Sequence, residues 1–279
     1  MKLALSTLGC PNWTLEQIAV VAREHGYGGL DFRGLGSEID VTRLPAFNEI
    51  LAATVNLLKE HGLAVACFNT SVTLVTPAPE RWQMMLDECQ RNARLCERLH
   101  ARFIRVFGGQ LPKDMTHDEA LVLARRHARQ LVKVCQPYGC QIILETHDYW
   151  SPSARAMELV HEFAPDEVGV LWDIEHPWRK GESPTETYET LKRYLKHVHF
   201  KDSHRVPDPN RPEGRSIPKL IGEGELPVRE FWQLLRDVNY DGWVSLESEK
   251  RWHADGPEPE QIFPQFARWV REIDLKAHG

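Results

Sequence analysis

The chain has no run of about 18 consecutive apolar residues, the length a membrane-spanning helix needs, so no membrane span is expected. It has no excess of positive charge: 34 Lys and Arg stand against 40 Asp and Glu, a formal net charge of −6. Duplex binding rests largely on neutralising phosphates, so no nucleic-acid partner is expected. Met1 to Leu8 carries one lysine and only a short apolar stretch, so no secretory leader is read there. The six cysteines (Cys10, Cys67, Cys89, Cys96, Cys135 and Cys140) form no C-x-x-C pair. A chain of this size does not need disulfide staples, and scattered thiols read as reduced core residues of a cytoplasmic protein. No glycine-rich phosphate turn follows the first β-rich segment, which argues against a doubly wound dinucleotide-binding fold.

What the sequence does have is one unit repeated eight times, a short β-rich run followed by an amphipathic segment with helix-start signals. The β-rich runs fall at about Lys2–Leu8, Gly29–Arg33, Ala64–Thr70, Arg102–Phe107, Gln141–His147, Val168–Asp173, His197–Lys201 and Trp243–Glu249. Thr14 with Gln17, and Thr116 with Glu119, form capping boxes, and Ser183-Pro184 with Glu186 opens another helix. Asp202–Leu226 reads as a long Pro-, Gly- and charge-rich loop. Eight such units in 279 residues, with no break in composition, predict a single-domain (β/α)8 TIM barrel over residues 1–279.

The chemistry of such a barrel sits at the carboxyl-terminal ends of its strands. There the last four strands carry Glu145, Asp173, His199 and Glu247. Side chains alternate along a strand, so parity aims one acid or imidazole per strand at the barrel axis. Three converging carboxylates repel one another, and a divalent cation resolves the conflict. The alternative is a buried salt-bridge network using Lys201 and Arg105. Three carboxylates and one imidazole form an oxygen-rich set suited to one divalent ion, Mn²⁺ or Mg²⁺ before Co²⁺ or Zn²⁺.

Glu145, Asp173 with His176 three residues on, His199, Glu247 and the run Gly222-Glu223-Gly224-Glu225 resemble the xylose isomerase-like TIM barrel superfamily. The closest pattern is its sugar phosphate isomerase/epimerase and ketose 3-epimerase-like members. The resemblance implies that Glu145, Asp173, His199 and Glu247 bind the metal. It also implies that Glu145 and Glu247 exchange the substrate proton, with His176 and Arg205 on the substrate. The resemblance also implies that the Lys201-Asp202 pair is commoner in the sugar phosphate isomerase/epimerase members and in the inosose dehydratase branch.

A metal holding a carbonyl and a neighbouring hydroxyl stabilises the enediolate left by deprotonation, so isomerisation, epimerisation and dehydration share one scaffold. The expected activity is a metal-dependent sugar, sugar phosphate or polyol isomerase or epimerase, with an inosose-type dehydratase or a non-catalytic sugar-binding barrel as alternatives. An apurinic endonuclease of the same superfamily is disfavoured: Asn69 stands where it would have a histidine, and no Asp-x-His follows His199.

Further substrate contacts are expected from His147, Lys201, Asn69, Trp13 and, at the rim, Trp150. Trp178 and Trp252 also fall on the rim, where tryptophan serves either a sugar face or a subunit contact, so a homo-oligomer stays open. Glu249 is the rival of Glu247 as a ligand, and His197 reads as a core histidine one layer deeper. Arg33 either binds a phosphate or carboxylate or makes a surface ion pair. The histidines on helices or helix ends, His127 among them, read as surface residues.

Overall fold

The structure, a computed structural model, describes residues 1–209 and 211–276. Short, β-branched and aromatic runs form β1 (Lys2–Ser6), β2 (Gly29–Phe32), β3 (Ala64–Thr73), β4 (Phe103–Phe107), β5 (Gln141–Glu145), β6 (Val168–Asp173) and β7 (Leu195–Phe200). They close into a parallel barrel with β10 (Trp243–Leu246), in the order β1-β10-β7-β6-β5-β4-β3-β2. The (β/α)8 expectation therefore holds. Outside the barrel lie α1 (Leu15–His25), α2 (Leu51–Glu60), α3 (Pro79–Leu99), α4 (His117–Cys135), α5 (Ser153–Val160), α6 (Glu175–Arg179), α7 (Pro184–Leu191), α8 (Val228–Asp237) and α9 (Pro259–Lys276). The capping boxes of Thr14, Thr116 and Ser183 all form, each satisfying orphan N–H groups at a helix start.

Two departures from the sequence reading bear on the site. The segment read as a loop after β7 contains an antiparallel hairpin of β8 (Ser203–Asp208) and β9 (Arg211–Pro218). Its Ser203-His204-Arg205-Val206-Pro207-Asp208 strand lacks apolar alternation, because neither face enters a core. The last barrel strand ends at Leu246, so Glu247 and Glu249 lie in the chain just beyond it.

The barrel interior is graded. Cys67, Ile143 and Leu171, with Phe103 packed on them, form a small apolar plug at the lower end. One alternation step further along the same strands come Asn69, Glu145, Asp173 and Arg105, all buried. Apolar side chains below and ionisable ones above place the site at the carboxyl-terminal mouth.

The cysteines are all free and buried, but four of the six are not scattered. Cys89, Cys96, Cys135 and Cys140 meet around α3, α4 and the start of β5, with Cys89 and Cys135 sulfurs 3.8 Å apart. His127 is likewise not a surface residue. Its ring stacks on Trp82 at 3.7 Å and its Nδ1 lies 2.7 Å from the Leu74 carbonyl.

Candidate metal centre

Register and parity bring four side chains to one point. Asp173 of β6 pairs with His199 of β7, which pairs with Ser245 two residues before Glu247, and Glu145 ends β5. One donor atom from each of Glu145, Asp173, His199 and Glu247 lies within 4.8 Å of the other three, and all four residues are buried.

The tautomer of His199 is set from below. Its Nε2 lies 3.0 Å from Oδ2 of Asp31, a fully buried carboxylate on β2. The ring therefore donates Nε2–H downward and turns Nδ1 toward Glu247 Oε1 at 3.2 Å and Glu145 Oε1 at 3.5 Å. A second imidazole, His197, also reaches Asp31 Oδ2, at 3.2 Å, and the Asn69 amide donates to its other oxygen. Asp31 is thus the hydrogen-bonded support beneath the cluster, an outer partner of the kind that orients a metal-ligating histidine and raises its basicity.

Cations reach the same acids from the sides. Arg105 Nε lies 3.0 Å from Glu145 Oε2, and Lys201 Nζ lies 2.8 Å from Asp173 Oδ2 and 2.5 Å from Glu247 Oε2. The salt-bridge network considered from the sequence is therefore present, with Arg105, Lys201 and the raised imidazole of His199 facing the three carboxylates. Glu145 Oε2 and Asp173 Oδ2 are each held by one of these cations, while His199 Nδ1 is buried against the carboxylates of Glu145 and Glu247. Electron-rich atoms this close, in the tautomer Asp31 imposes, need a proton or a cation among them. Burial favours the neutral forms, but Arg105 and His199 hold Glu145 low, and His199 and Lys201 hold Glu247 well below the usual carboxylate range. Burial likewise opposes charge on His199, yet Glu247, Asp31 and Glu145 raise its pKa well above the ordinary imidazole value. For Asp173 burial prevails and pushes the carboxyl up. A buried O₃N donor set gathered within 4.8 Å fits one hard divalent cation.

Above the cluster opens a cavity of about 850 Å³, lined by residues that include His147, Glu175, His176, Arg205, Glu249 and Trp252. His176 Nε2 is 3.6 Å from Asp173 Oδ2, and its ring meets that of His147 edge-on at 4.4 Å. His147 is raised above the ordinary imidazole range: burial lowers it, while Asp148 and Glu145 prevail. Of the expected substrate contacts, His147, His176 and Arg205 line the cavity, and Lys201 lies beneath its Glu249 edge at 3.6 Å.

Others stand elsewhere. Trp13 packs on Phe263 and donates to Glu260 at 3.1 Å, away from the cavity, beside a separate groove. Asn69 is spent below the cluster between Asp31 and Arg105 Nε, at 3.2 Å from the latter. Trp150 is fully buried because Gly108 leaves a slot for its ring, where any Cβ would collide. Trp178 lines a different groove, whereas exposed Trp252 does reach the cavity.

The sequence reading missed Asp31, a lone acid in an apolar strand whose parity was the one available signal. It also missed Glu175, whose Oε1 takes the hydroxyls of Ser203 at 2.7 Å and Ser216 at 2.6 Å and pairs with Arg179 Nε at 3.1 Å. Glu175 and Arg179 thereby tie the β8–β9 hairpin to the wall of the cavity.

A closed parallel barrel with an acid-and-histidine cluster at its carboxyl-terminal mouth defines a class of α/β barrels with a candidate metal site. Residues 20–273 match the profile of the xylose isomerase-like TIM barrel family, and the chain belongs to that family. The 3-dehydroshikimate dehydratase of Bacillus anthracis is 23% identical over 261 residues, covering 88% of this chain and 90% of the relative. An inosose dehydratase of Lacticaseibacillus casei is 27% identical over 123 residues, 40% of this chain and 41% of that one.

Among solved structures, the probable 3-DHS dehydratase AsbF of B. anthracis superposes with a TM-score of 0.80 at 21% identity, covering 97% and 99% of the two chains. The IOLI protein with a bound zinc atom gives 0.79 at 16%, covering 99% and 97%. A D-tagatose 3-epimerase-like protein gives 0.77 at 17%, covering 99% and 98%. At these identities the structural likeness carries the fold.

Proposed function

We propose that this protein is a divalent-metal-dependent enzyme that removes a proton from the carbon beside a carbonyl of a polyhydroxylated small molecule and expels the β-hydroxyl as water. The observation that carries the reading is the buried Glu145–Asp173–His199–Glu247 donor set, with His199 Nδ1 freed by Asp31. These four residues would hold the ion, which supplies positive charge against the oxyanion that develops during deprotonation.

Glu145 and Glu247 stand three strands apart in the barrel, and Arg105 and Lys201 keep them ionised. One of them accepts the C–H proton. His147 and His176 on the cavity wall supply a proton to the departing hydroxyl. The sequence likeness to two dehydratases and this histidine pair favour dehydration.

Isomerisation or epimerisation is the second reading, favoured by the two glutamates on separate walls, the second returning a proton where the first removed one. The panel that tests both contains ketoses, their phosphates, inososes and 3-dehydroshikimate in deuterated water with Mn²⁺. Loss of one water by mass supports dehydration, and deuterium uptake without water loss supports the second reading. Neither change with any compound, in protein shown to bind Mn²⁺, overturns both.

A further inference from the structure

The acids around the mouth have basic partners: Arg105 for Glu145, Lys201 for Asp173 and Glu247, Arg179 for Glu175, and His253 for Glu249. One inward cation breaks the pattern. Arg33 follows β2 two residues after Asp31, so alternation places it on the same inward face, one step nearer the mouth. Among the described residues no carboxylate lies within 4 Å of its guanidinium, and its one protein acceptor is Ser71 Oγ, 3.0 Å from Nη1. Ser71 lies on β3 two residues past Asn69.

Arg33 is close enough to the cluster for the charges of Arg105, Glu145 and Glu247 to act on it, and Glu88 of α3, which accepts the Ser71 N–H at 2.6 Å, acts on it from the other side without pairing with it. Across the mouth, Arg205 of β8 lines the cavity, its Nε buried and, among the described residues, without a hydrogen-bond partner. A guanidinium has five N–H donors in a fixed fork. Leaving one largely desolvated with a single hydroxyl acceptor is costly unless something else fills the fork.

We infer that Arg33, steadied by Ser71, is a specificity-determining anion site, and that the substrate of the proposed reaction carries an acidic substituent, a carboxylate or a phosphate ester. The inference rests on reading this mouth as the substrate site. A neutral sugar would leave the fork unfilled. A carboxylate or phosphate accepts two parallel N–H bonds from it, while the carbonyl end of the same molecule lies over the carboxylate cluster.

The test is binding, not turnover, so that it stands apart from the reaction class. Calorimetry on the Mn²⁺-loaded protein compares two pairs of probes that differ in the acid group: quinate with its methyl ester, and fructose 6-phosphate with fructose. At least tenfold tighter binding of one acid over its neutral partner is expected, quinate marking a carboxylate site and fructose 6-phosphate a phosphate site. Arg33→Gln should abolish that preference and Arg33→Lys should keep part of it.

Equal response of acid and neutral partner, absence of response included, overturns the inference, as does a preference that survives Arg33→Gln. Melting of the ligand-free variants separates a binding role from a structural one. An unpaired cation held for a ligand leaves Arg33→Gln at least as stable as wild type. A clear loss of melting temperature, with the preference unchanged, makes Arg33 a structural partner of Ser71 and refutes the assignment. Failure of the deuterium test with the acid preference intact would instead overturn the proposed reaction and leave the anion site standing.

Discussion

Asp31→Asn is the sharpest perturbation of the centre, because Asp31 touches it only through His199. The carboxylate is fully buried and takes His199 Nε2 at 3.0 Å, His197 Nε2 at 3.2 Å and the Asn69 amide. An asparagine keeps the shape but offers one oxygen, and its NH₂ must face at least one of those donors. An unsatisfied buried donor costs about 1–3 kcal/mol, and losing the charge from the remaining bonds adds about 1 kcal/mol. At about 2–4 °C per kcal/mol for a domain of this size, the melting temperature should fall by roughly 5–15 °C.

With the ring no longer held as the Nε2–H tautomer by an anion, Mn²⁺ affinity should drop by about 10–100-fold. Calorimetric titration of chelator-stripped protein, checked for cooperative melting, reads both effects. A folded variant that binds Mn²⁺ within a factor of about two of wild type would refute the outer-partner role of Asp31, since about tenfold is the least such a partner contributes.

Glu175 is held at about 2, down from 4.5, because Lys201, His176 and the Ser216 and Ser203 hydroxyls outweigh its burial. A depressed folded-state pKa stabilises above the unfolded value. About 3 kcal/mol should therefore be present above pH 4.5 and be lost as pH falls toward 2, and Glu175→Gln should flatten that limb of a pH–stability curve. Removing metal with a chelator should lower the melting temperature by about 5–10 °C relative to protein with free ion at 100 times its Kd, from about 2.7 kcal/mol of linkage. The Glu145→Gln/Glu247→Gln protein should show no such shift in a thermal melt. Gly224→Ala should cost about 1–3 kcal/mol in denaturant unfolding, since its Cβ would meet the Asp202 carboxylate. That carboxylate anchors the Gly222, Gly224 and Leu226 N–H groups.

The barrel was legible because alternation and helix caps act locally: the boxes at Thr14, Thr116 and Ser183 needed no knowledge of neighbours. Convergence of Glu145, Asp173, His199 and Glu247 followed from parity once the strands were placed. What stayed hidden depends on distant partners. The Asp31 role exists only through histidines 166 and 168 residues away in sequence. Trp150 looks like a rim residue until Gly108, on another strand end, opens a slot for it. The β8–β9 hairpin lacks apolar alternation because polar anchors such as Glu175 on Ser203 and Ser216, not core burial, hold it.

The vertical grading of the interior explains why the centre is built with its own cations. Below it, Cys67, Ile143 and Leu171 exclude water, so no solvent screens the acids from beneath. Three carboxylates at that boundary would otherwise take up protons or push the strands apart. Arg105 and Lys201 each occupy the flank of a ligand acid, leaving the Oε1 atoms of Glu145 and Glu247 turned toward His199 Nδ1. The barrel and its two flanking cations therefore hold one donor atom from each of the four residues within 4.8 Å of the others. The same arrangement leaves Arg33 and Arg205 on the open side of the mouth with, among the described residues, no carboxylate in an ion pair with either guanidinium, and there the proposed acidic substrate would supply one.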